Sequence, residues 1–226
     1  MKKTKFLLYV FIVVGLLFSA CAVYEITSKP EKLPDMTVAE KKARFKQLII
    51  PAVDAVYEEL NKQYQTAVSE TKRKPESNKL ARLRERYKAA DNQALLVALK
   101  PHPRSIAIAQ AALESSWATS RFYLEANNVF GVWSFNKDEP RIAAGKLRGD
   151  KTIWVKEYDS IKDSVRDYYL TLARGDAYEG FRALKMQTDD PFELVKKLDK
   201  YSEAGAEYGK KLTSIISFNQ FTEYDE

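Results

Sequence analysis

Apolar residues recur at spacings of three and four along most of the chain after residue 37, which is the pattern of amphipathic helices. The first such series consists of Phe45, Leu48, Ile49, Val53, Val56, Tyr57 and Leu60. Pro51 lies inside this series, and we expect it to kink the helix or to divide it in two, because proline lacks a backbone N–H. With only 8 Gly and 8 Pro in 226 residues, the chain has too few turn residues for a many-stranded β fold.

The counts of cysteine and histidine exclude several kinds of chemistry. A single Cys cannot form an internal disulfide, and a single His (His102) leaves no His/Cys metal cluster. A Ser-His-Asp triad would have to use that one histidine, so this class of enzyme is disfavoured. No feature of the sequence indicates a metal or an organic cofactor, and we expect none.

The N-terminus is typical of an export signal. Three lysines lie within the first five residues, and residues 6–20 carry no charge. That run ends at Cys21 in a Phe-Ser-Ala-Cys context, which resembles a bacterial lipoprotein box in which the thiol is acylated. We therefore predict a signal peptide at 1–20, lipid attachment at Cys21 and a tether at 21–36. Cleavage at an ordinary A-x-A site and an uncut short anchor are the alternatives, and all three place the rest of the chain outside the cytoplasm.

The formal charge of +6 suggests an anionic partner. Half of that excess belongs to the three lysines of the predicted signal. A basic run at 71–86 invites a prediction of nucleic-acid binding, but it contains Pro75 and no interleaved aromatic residues. We therefore expect a solvated or wall-facing surface there, and an anionic cell wall as the partner in place of nucleic acid.

The second half of the chain combines one β segment with further helices. Residues 130–135 alternate in β fashion, two glycines and an aspartate follow within 145–151, and residues 152–158 are β-branched and aromatic. These features predict a short hairpin. A capping box at Ser160 then begins a helix that ends near Gly175. Helical spacing returns over about 177–186, 191–200 and 206–219, so we predict a mostly helical α+β fold with a small β lobe.

Glu114 is the most unusual charged residue in the sequence. It lies in an alanine-rich helix that is predicted to be buried and to run from Ser105 to about Asn127. None of its neighbours one turn away is a Lys or Arg. Burial without a cationic partner should raise the pKa of this carboxyl. A carboxyl that keeps its proton near neutral pH can act as the general acid of a glycosidase. The alternative is a solvent-exposed glutamate among alanines that are simply good helix formers.

Two segments carry a resemblance to a known family: AQAALESSWATSRF at 109–122 and NNVFGVW at 127–133. Together they resemble the endo-β-N-acetylglucosaminidase family of peptidoglycan hydrolases, and within it the Bax-like bacterial branch. Weaker likeness continues through 157–168 and 201–208. The resemblance implies a lysozyme-like body with a substrate groove beside a small β lobe. The likeness spans about 40–220. The proline-containing segment at 101–104 ends the first helical region, so we predict a helical extension at 37–100 and a glucosaminidase domain at 101–222.

The same resemblance implies roles for individual residues. Glu114 matches the catalytic acid of the family, and Tyr201 matches a tyrosine that faces it across the groove. The turn that shapes the groove floor corresponds to Asn128, Phe130 and Gly131, although these residues also suit the end of a helix and a core position. Two further aromatic residues are candidates for stacking on sugar rings, or for the core: Trp117 and Trp133.

A second catalytic carboxylate is harder to find in the sequence. Asp138 and Glu139 in the predicted β lobe are the candidates, and Glu139 is the preferred one. Some glycosidases instead use the N-acetyl oxygen of the substrate and need only one protein acid. We expect hydrolysis after N-acetylglucosamine in peptidoglycan strands, with this substrate assistance. A lytic transglycosylase or muramidase and a non-catalytic, lipid-anchored wall-binding protein are the alternatives.

Overall fold

This computed structural model describes residues 33–148 and 151–226. The predicted signal peptide at 1–20, Cys21 and the tether as far as residue 32 lie outside the described residues. Residues 36–226 form one compact unit. Within the described ranges, no helix is both long enough and apolar enough to cross a membrane.

The prediction of a mostly helical α+β fold is confirmed. The helices are α1 (Val38–Arg73), α2 (Asn78–Tyr87), α3 (Asn92–Leu99), α4 (Arg104–Glu114), α5 (Arg121–Ala126), α6 (Ile161–Arg174), α7 (Glu179–Leu184), α8 (Pro191–Leu194) and α9 (Ala206–Phe218). Short 3-10 turns occupy Asp176–Tyr178, Val195–Lys197 and Phe221–Tyr224. The strands β1 (Arg141–Arg148) and β2 (Lys151–Lys156) pair antiparallel.

Helix α1 begins at a capping box in which the Thr37 side chain and the Glu40 side chain each bind the other's backbone N–H. The helix continues through Pro51 as one element, so the alternative that Pro51 divides it in two is wrong. Burial of Ile49 and Val53 on either side of the proline explains this continuity, because both side chains need the helical geometry to reach the core.

One core joins the N-terminal helices to the rest of the molecule. Fully buried Phe45 and Val56 of α1 belong to the same cluster as Ile106 of α4 and Tyr168 of α6. A smaller second cluster, which includes Leu80 and Leu95, lies between α1, α2, α3 and α6. Residues 37–100, predicted as an extension, therefore share their main core with the predicted catalytic domain.

Helix α4 is shorter than the sequence indicates. It begins at Arg104, with the backbone N–H of Ser105 bound by the Asp225 carboxylate at 2.8 Å, and it ends at Glu114. The predicted continuation to Asn127 is wrong, because Ser116, Trp117 and Ala118 all have positive φ before α5 begins. Such φ values cost about 1–2 kcal/mol per non-glycine residue. Tertiary contacts must therefore hold this left-handed turn.

Those contacts come from α1 and from the turn itself. The Arg44 guanidinium donates to the carbonyl of Ala118 at 2.9 Å, and the Trp117 ring packs edge-on against Phe45 with centroids 5.1 Å apart. The Ser115 hydroxyl accepts from the N–H of Ala118 at 2.8 Å. The turn aims Glu114 out of the end of a helix, where a continuing helix would have enclosed it.

The predicted hairpin is confirmed, but its first strand lies elsewhere. β1 covers Arg141–Arg148, whereas residues 130–135 contribute only one isolated bridge, from Trp133 to Val155. Pairing is irregular between Ala143 and Leu147, where Gly145 has a φ of +76°. The segment before the hairpin thereby runs past β2 at a single bridge and can form a wall beside Glu114.

Candidate active site

An open groove lies beside the end of α4. Its space, including the part open to solvent, amounts to about 1420 Å³. The walls come from α4, the segment before the hairpin, β2, the end of α6 and the loop before α9. Among the lining residues are Glu114, Phe130, Gly131, Trp133, Phe135, Glu139, Lys156, Arg174, Tyr178, Tyr201 and Lys88. The sequence-predicted acid and five other predicted site residues therefore meet in one groove.

Glu114 is half-buried at the C-terminal end of α4. Its Oε1 accepts a hydrogen bond of 2.8 Å from the Tyr208 hydroxyl. Burial raises the pKa of the Glu114 carboxyl, and the hydrogen bond from Tyr208 opposes that shift in part. No Lys or Arg forms an ion pair with Glu114 within the described residues. The carboxyl therefore has the environment of a general acid.

A chain of hydrogen bonds fixes the orientation of Glu114. The Tyr168 hydroxyl donates to Gln110 Oε1 at 2.6 Å, and Gln110 Nε2 donates to the Tyr208 hydroxyl at 2.9 Å. Tyr208 then has a single proton, which it donates to Glu114. Sequence reasoning did not identify Tyr208 or Gln110 as site residues. The i,i+4 spacing of Gln110 and Glu114 on α4 was the available signal for the amide, whereas Tyr208 lies 94 residues away.

Tyr201 lies in the groove, as the sequence predicted. Its ring stacks on Tyr208 with centroids 5.5 Å apart, and its hydroxyl donates to the carbonyl of Phe130 at 3.4 Å. Burial and the nearby Glu114 carboxylate raise the pKa of the Tyr201 phenol. The phenol is therefore neutral at physiological pH, and since its one proton is donated to Phe130, its oxygen can accept a hydrogen bond from a sugar or from water.

Phe130 and Gly131 form part of the groove wall. The Phe130 ring is 2% exposed and stacks on Tyr168 with centroids 4.0 Å apart. It therefore helps to hold Tyr168, the first donor in the hydrogen-bond chain to Glu114. Gly131 has a φ of +65°, and a Cβ placed there would meet no atom within 4 Å. Glycine is favoured at this position by its backbone conformation and not by lack of space.

Asn128 does not line the groove. Its side-chain amide donates to the carbonyls of Val132 and Lys156 at 3.0 and 2.8 Å, and its carbonyl accepts from the N–H of Val132 at 2.9 Å. The residue is 1% exposed. The two bonds to Val132 fix the turn of the groove wall, and the bond to Lys156 ties that wall to β2. Direct contact of Asn128 with substrate is therefore unsupported, and the residue has a structural part in the site.

Trp117 also lies away from the groove. Its ring packs against Phe45 and Phe221, and the Lys42 ammonium lies 4.7 Å from its centroid. The left-handed turn after Glu114 rotates it toward α1. The predicted stacking of Trp117 on a sugar is not supported by this position.

Two exposed aromatic rings form one wall of the groove. Trp133 is 42% exposed and Phe135 is 86% exposed, with ring centroids 6.2 Å apart. Exposed rings of this kind offer apolar faces on which sugars can stack. Trp133 was predicted from the sequence. Phe135 was missed, although its i,i+2 spacing from Trp133 puts both rings on one face of an extended segment.

Glu139 lines the same groove as Glu114, while Asp138 does not. The Ser134 hydroxyl donates to Glu139 Oε1 at 2.7 Å, and the Lys156 ammonium lies 3.8 Å from Oε2. Lys156 also pairs with Asp167 at 2.9 Å. Glu139 is thus held in the groove by a hydroxyl and a shared cation. Across the described residues, no group of three or more His, Cys, Asp or Glu could hold a metal ion.

A half-buried acid, a facing phenol and exposed aromatic rings in an open groove are features of a glycosidase. The chain belongs to the Glucosaminidase family: residues 92–221 match the family model described as mannosyl-glycoprotein endo-beta-N-acetylglucosaminidase. The resemblance seen in the sequence is therefore confirmed. The matched residues include all of the groove residues named above except Lys88.

Two curated proteins illustrate this relationship. Over 124 residues the chain is 31% identical to "Protein bax" of Escherichia coli (strain K12), a match that covers 52% of this chain and 43% of that protein. Over 141 residues it is 28% identical to "Exo-glucosaminidase LytG" of Bacillus subtilis (strain 168), covering 54% and 46%. The chain therefore matches less than half the length of each relative.

The chain also aligns with solved structures. The catalytic domain of the autolysin Auto from Listeria monocytogenes aligns with a TM-score of 0.49 and 18% identity, covering 85% of this chain and 100% of that domain. The glycoside hydrolase domain of FlgJ from Salmonella typhimurium aligns with a TM-score of 0.43 and 24% identity, covering 64% and 87%. The family assignment rests on the sequence match.

Proposed function

We propose that this protein hydrolyses the β-1,4 bond that follows N-acetylglucosamine in peptidoglycan. The observation that carries the proposal is the position of Glu114: half-buried at the end of α4, open to the groove, and held by Tyr208. Membership of the Glucosaminidase family supports the sugar specificity. The relative named as an exo-glucosaminidase supports the same class of activity.

Glu114 acts in this proposal as the general acid. Burial raises its pKa and so favours the protonated carboxyl, which can deliver a proton to the leaving glycosidic oxygen. The hydrogen bond from Tyr208 occupies Oε1, which leaves Oε2 to carry the proton. The hydroxyl oxygen of Tyr201, in the same groove, can accept a hydrogen bond from the N–H of the acetamido group or from the attacking water.

The nucleophile of the first step is proposed to be the substrate's own N-acetyl oxygen, which attacks the anomeric carbon as the leaving oxygen takes the proton of Glu114. In the second step water attacks the same carbon and opens the cyclic intermediate, and the Glu114 carboxylate takes the proton of that water. The Ser134 hydroxyl and Lys156 hold the Glu139 carboxylate, which suits a groove-shaping and electrostatic role. Substrate assistance gives a first product of retained anomeric configuration. Proton NMR of the fresh product would measure this, and an inverted product would instead make Glu139 the base for a direct attack by water.

The experiment that tests the function is digestion of purified cell wall by wild type and Glu114→Gln. We expect the variant to lose lysis while remaining folded, with a melting temperature no lower than that of wild type. Glu125→Gln is a matched control, because it makes the same change on α5 at a carboxylate that pairs with Arg121 outside the groove. Full lysis by Glu114→Gln would refute the role of the acid.

Mass spectrometry of the released ends distinguishes the reaction classes. Reducing N-acetylglucosamine ends support the proposal. Anhydromuramic ends would instead identify a lytic transglycosylase, and reducing muramic ends a muramidase. Binding of wall without release of any fragment by wild type would identify a non-catalytic wall-binding protein.

We also propose that the protein is exported and anchored by lipid at Cys21, facing the periplasm or cell wall. The support is the charged and apolar N-terminal sequence that ends at the single cysteine, together with a substrate that lies outside the cytoplasm. Labelling of cells with a fatty-acid analogue should mark the wild type and not Cys21→Ser. Equal labelling of both would contradict the anchor.

A further inference from the structure

The groove continues beyond the candidate active site onto the N-terminal helices. A neighbouring concavity of about 1030 Å³, which we call the side concavity, is bounded by the turn between α2 and α3, the end of α6 and α7. Two residues line both the groove and the side concavity: Lys88 and Arg174. These two cations therefore stand where the two depressions meet.

The backbone holds both residues firmly. Lys88 ends α2 in a left-handed conformation, with its N–H bound to the carbonyl of Glu85 at 3.2 Å. Arg174 is the last residue of α6, where the N–H of Gly175 continues the helical bonding to Thr171 at 2.9 Å. The side chains project from the ends of two helices that pack in a common core cluster.

Neither cation has a carboxylate partner within the described part of the chain. Lys156, the third cation of the groove, is instead paired with Asp167. The guanidinium of Arg182, in the side concavity, donates hydrogen bonds to the carbonyls of Leu172 and Gly175 at 3.0 and 2.6 Å. Lys88 and Arg174 are therefore the groove cations whose charge is available to an incoming anion.

We infer that Lys88 and Arg174 form a subsite for carboxylates of the peptide stems that peptidoglycan carries on its muramic acid units. The inference rests on the proposed function. The sugars themselves are uncharged where the lactyl carboxyl is joined to the stem as an amide, and the exposed rings of Trp133 and Phe135 suit their faces. Lysine and arginine are the side chains that bind carboxylates by charge-assisted hydrogen bonds.

The acidic residues nearby limit where an anion can lie. Asp91, Asp176 and Glu179 line the side concavity but not the groove. They repel a carboxylate placed deeper in the side concavity, so the stem's carboxylates are held at its border. Lys88 precedes the family-matched residues 92–221, and this subsite gives the N-terminal helices a direct part in choosing the substrate.

The test compares the double variant Lys88→Gln/Arg174→Gln with its parent on two substrates. One is wall that carries peptide stems, and the other is stripped glycan, from which an amidase has removed the stems and in which the freed lactyl carboxyls have been capped as amides. Binding is measured by co-sedimentation in the Glu114→Gln background, so that the substrate is not consumed. We expect the Kd for stem-bearing wall to rise roughly 3- to 10-fold, as for two solvent-accessible ion pairs. Binding to stripped glycan should not change, and the difference should shrink at about 1 M salt.

A charge-matched control lies on the same helix. Lys79→Gln/Arg82→Gln removes two exposed cations of α2 that line neither the groove nor the side concavity, and it should bind both substrates like its parent. Equal weakening on stripped glycan, or an equal effect of the control, would overturn the subsite. Absence of lysis by the wild type on both substrates would refute the proposed function. The binding comparison would still show whether Lys88 and Arg174 bind the stem carboxylates. If the double variant has a lowered melting temperature, Lys88→Gln alone can be compared with its parent in the same way, because the Lys88 side chain is exposed.

Discussion

The hydroxyl of Tyr208 on α9 donates its only proton to Oε1 of Glu114 at the end of α4, across 2.8 Å. It accepts in turn from Gln110, whose amide is oriented by Tyr168. All three supporting residues are buried. The orientation of the acid is therefore set from beneath the groove, before any substrate arrives.

Replacing Tyr208 by Phe should affect the acid more than the fold. The lost hydrogen bond had lowered the pKa of Glu114, so that pKa rises further and the alkaline limb of kcat/KM moves to higher pH. A misplaced carboxyl should reduce kcat by roughly 10- to 100-fold. The pH profile is the decisive measurement, and an unmoved alkaline limb would contradict the role given to Tyr208.

Tyr123→Phe supplies the comparison for that variant. Tyr123 is a buried tyrosine whose hydroxyl bonds to Arg44, and it does not line the groove. Its loss should cost about 1–3 kcal/mol of stability if the partner is left unsatisfied, with no shift of the pH profile. The two variants separate loss of a buried hydroxyl from loss of acid orientation.

Glu114 should destabilise the folded protein at neutral pH. Its pKa is raised by burial, so the folded state holds its proton more tightly than the unfolded chain does. The stability that this group contributes is present below the unfolded pKa of about 4.3 and is lost as pH rises through the folded pKa. The melting temperature of Glu114→Gln should therefore exceed that of wild type at pH 7, and the two melting temperatures should converge below about pH 4. A constant gap across this range would show that the carboxyl is not perturbed.

Phe135 should contribute to binding and not to stability. Its ring is 86% exposed beside Trp133 on the groove wall, so Phe135→Ala should raise KM roughly 3- to 10-fold with little change in melting temperature. Phe218→Ala removes a ring that is 81% exposed outside the groove and serves as the control. An equal KM for both variants would show that Phe135 does not contribute to substrate binding.

Two glycines test the backbone of the groove wall. Gly131→Ala should destabilise the protein by about 1–2 kcal/mol, because its φ of +65° disfavours any Cβ. Gly180→Ala, inside α7 and equally free of neighbours within 4 Å, should stabilise it by about 0.5–1 kcal/mol. Urea unfolding measures both, and changes of the same sign would mean that φ does not govern position 131.

The sequence carried enough information for the helical class, the hairpin and the acid. Glu114 stands out because its helical neighbours include no cation, and helical periodicity locates α1, α6 and α9 to within a few residues. The end of α4 could not be found in this way. Three non-glycine residues from Ser116 onward adopt positive φ only because Arg44 and Phe45 hold them, and such long-range contacts leave no local pattern.

The same limit applies at the candidate site. Trp117 was a candidate both for sugar stacking and for the core, and the turn after Glu114 places it against α1. Tyr208 is one tyrosine among 13 in the chain, and only the packing of α9 on α4 brings it to Glu114. Local sequence and the family resemblance singled out Glu114 as the candidate acid, while the tyrosine that contacts it comes from a distant segment.

The core described for α1 also defines where the molecule can be cut. Phe45, Ile49 and Val53 are completely enclosed, and a single truncation of such a side chain typically costs about 1–5 kcal/mol. A fragment that starts at residue 92, where the family match begins, would lose all three together, against a net stability of about 5–15 kcal/mol for an ordinary domain. The segment that matches the family, residues 92–221, is therefore shorter than the segment that must unfold and refold as one unit, which also includes α1.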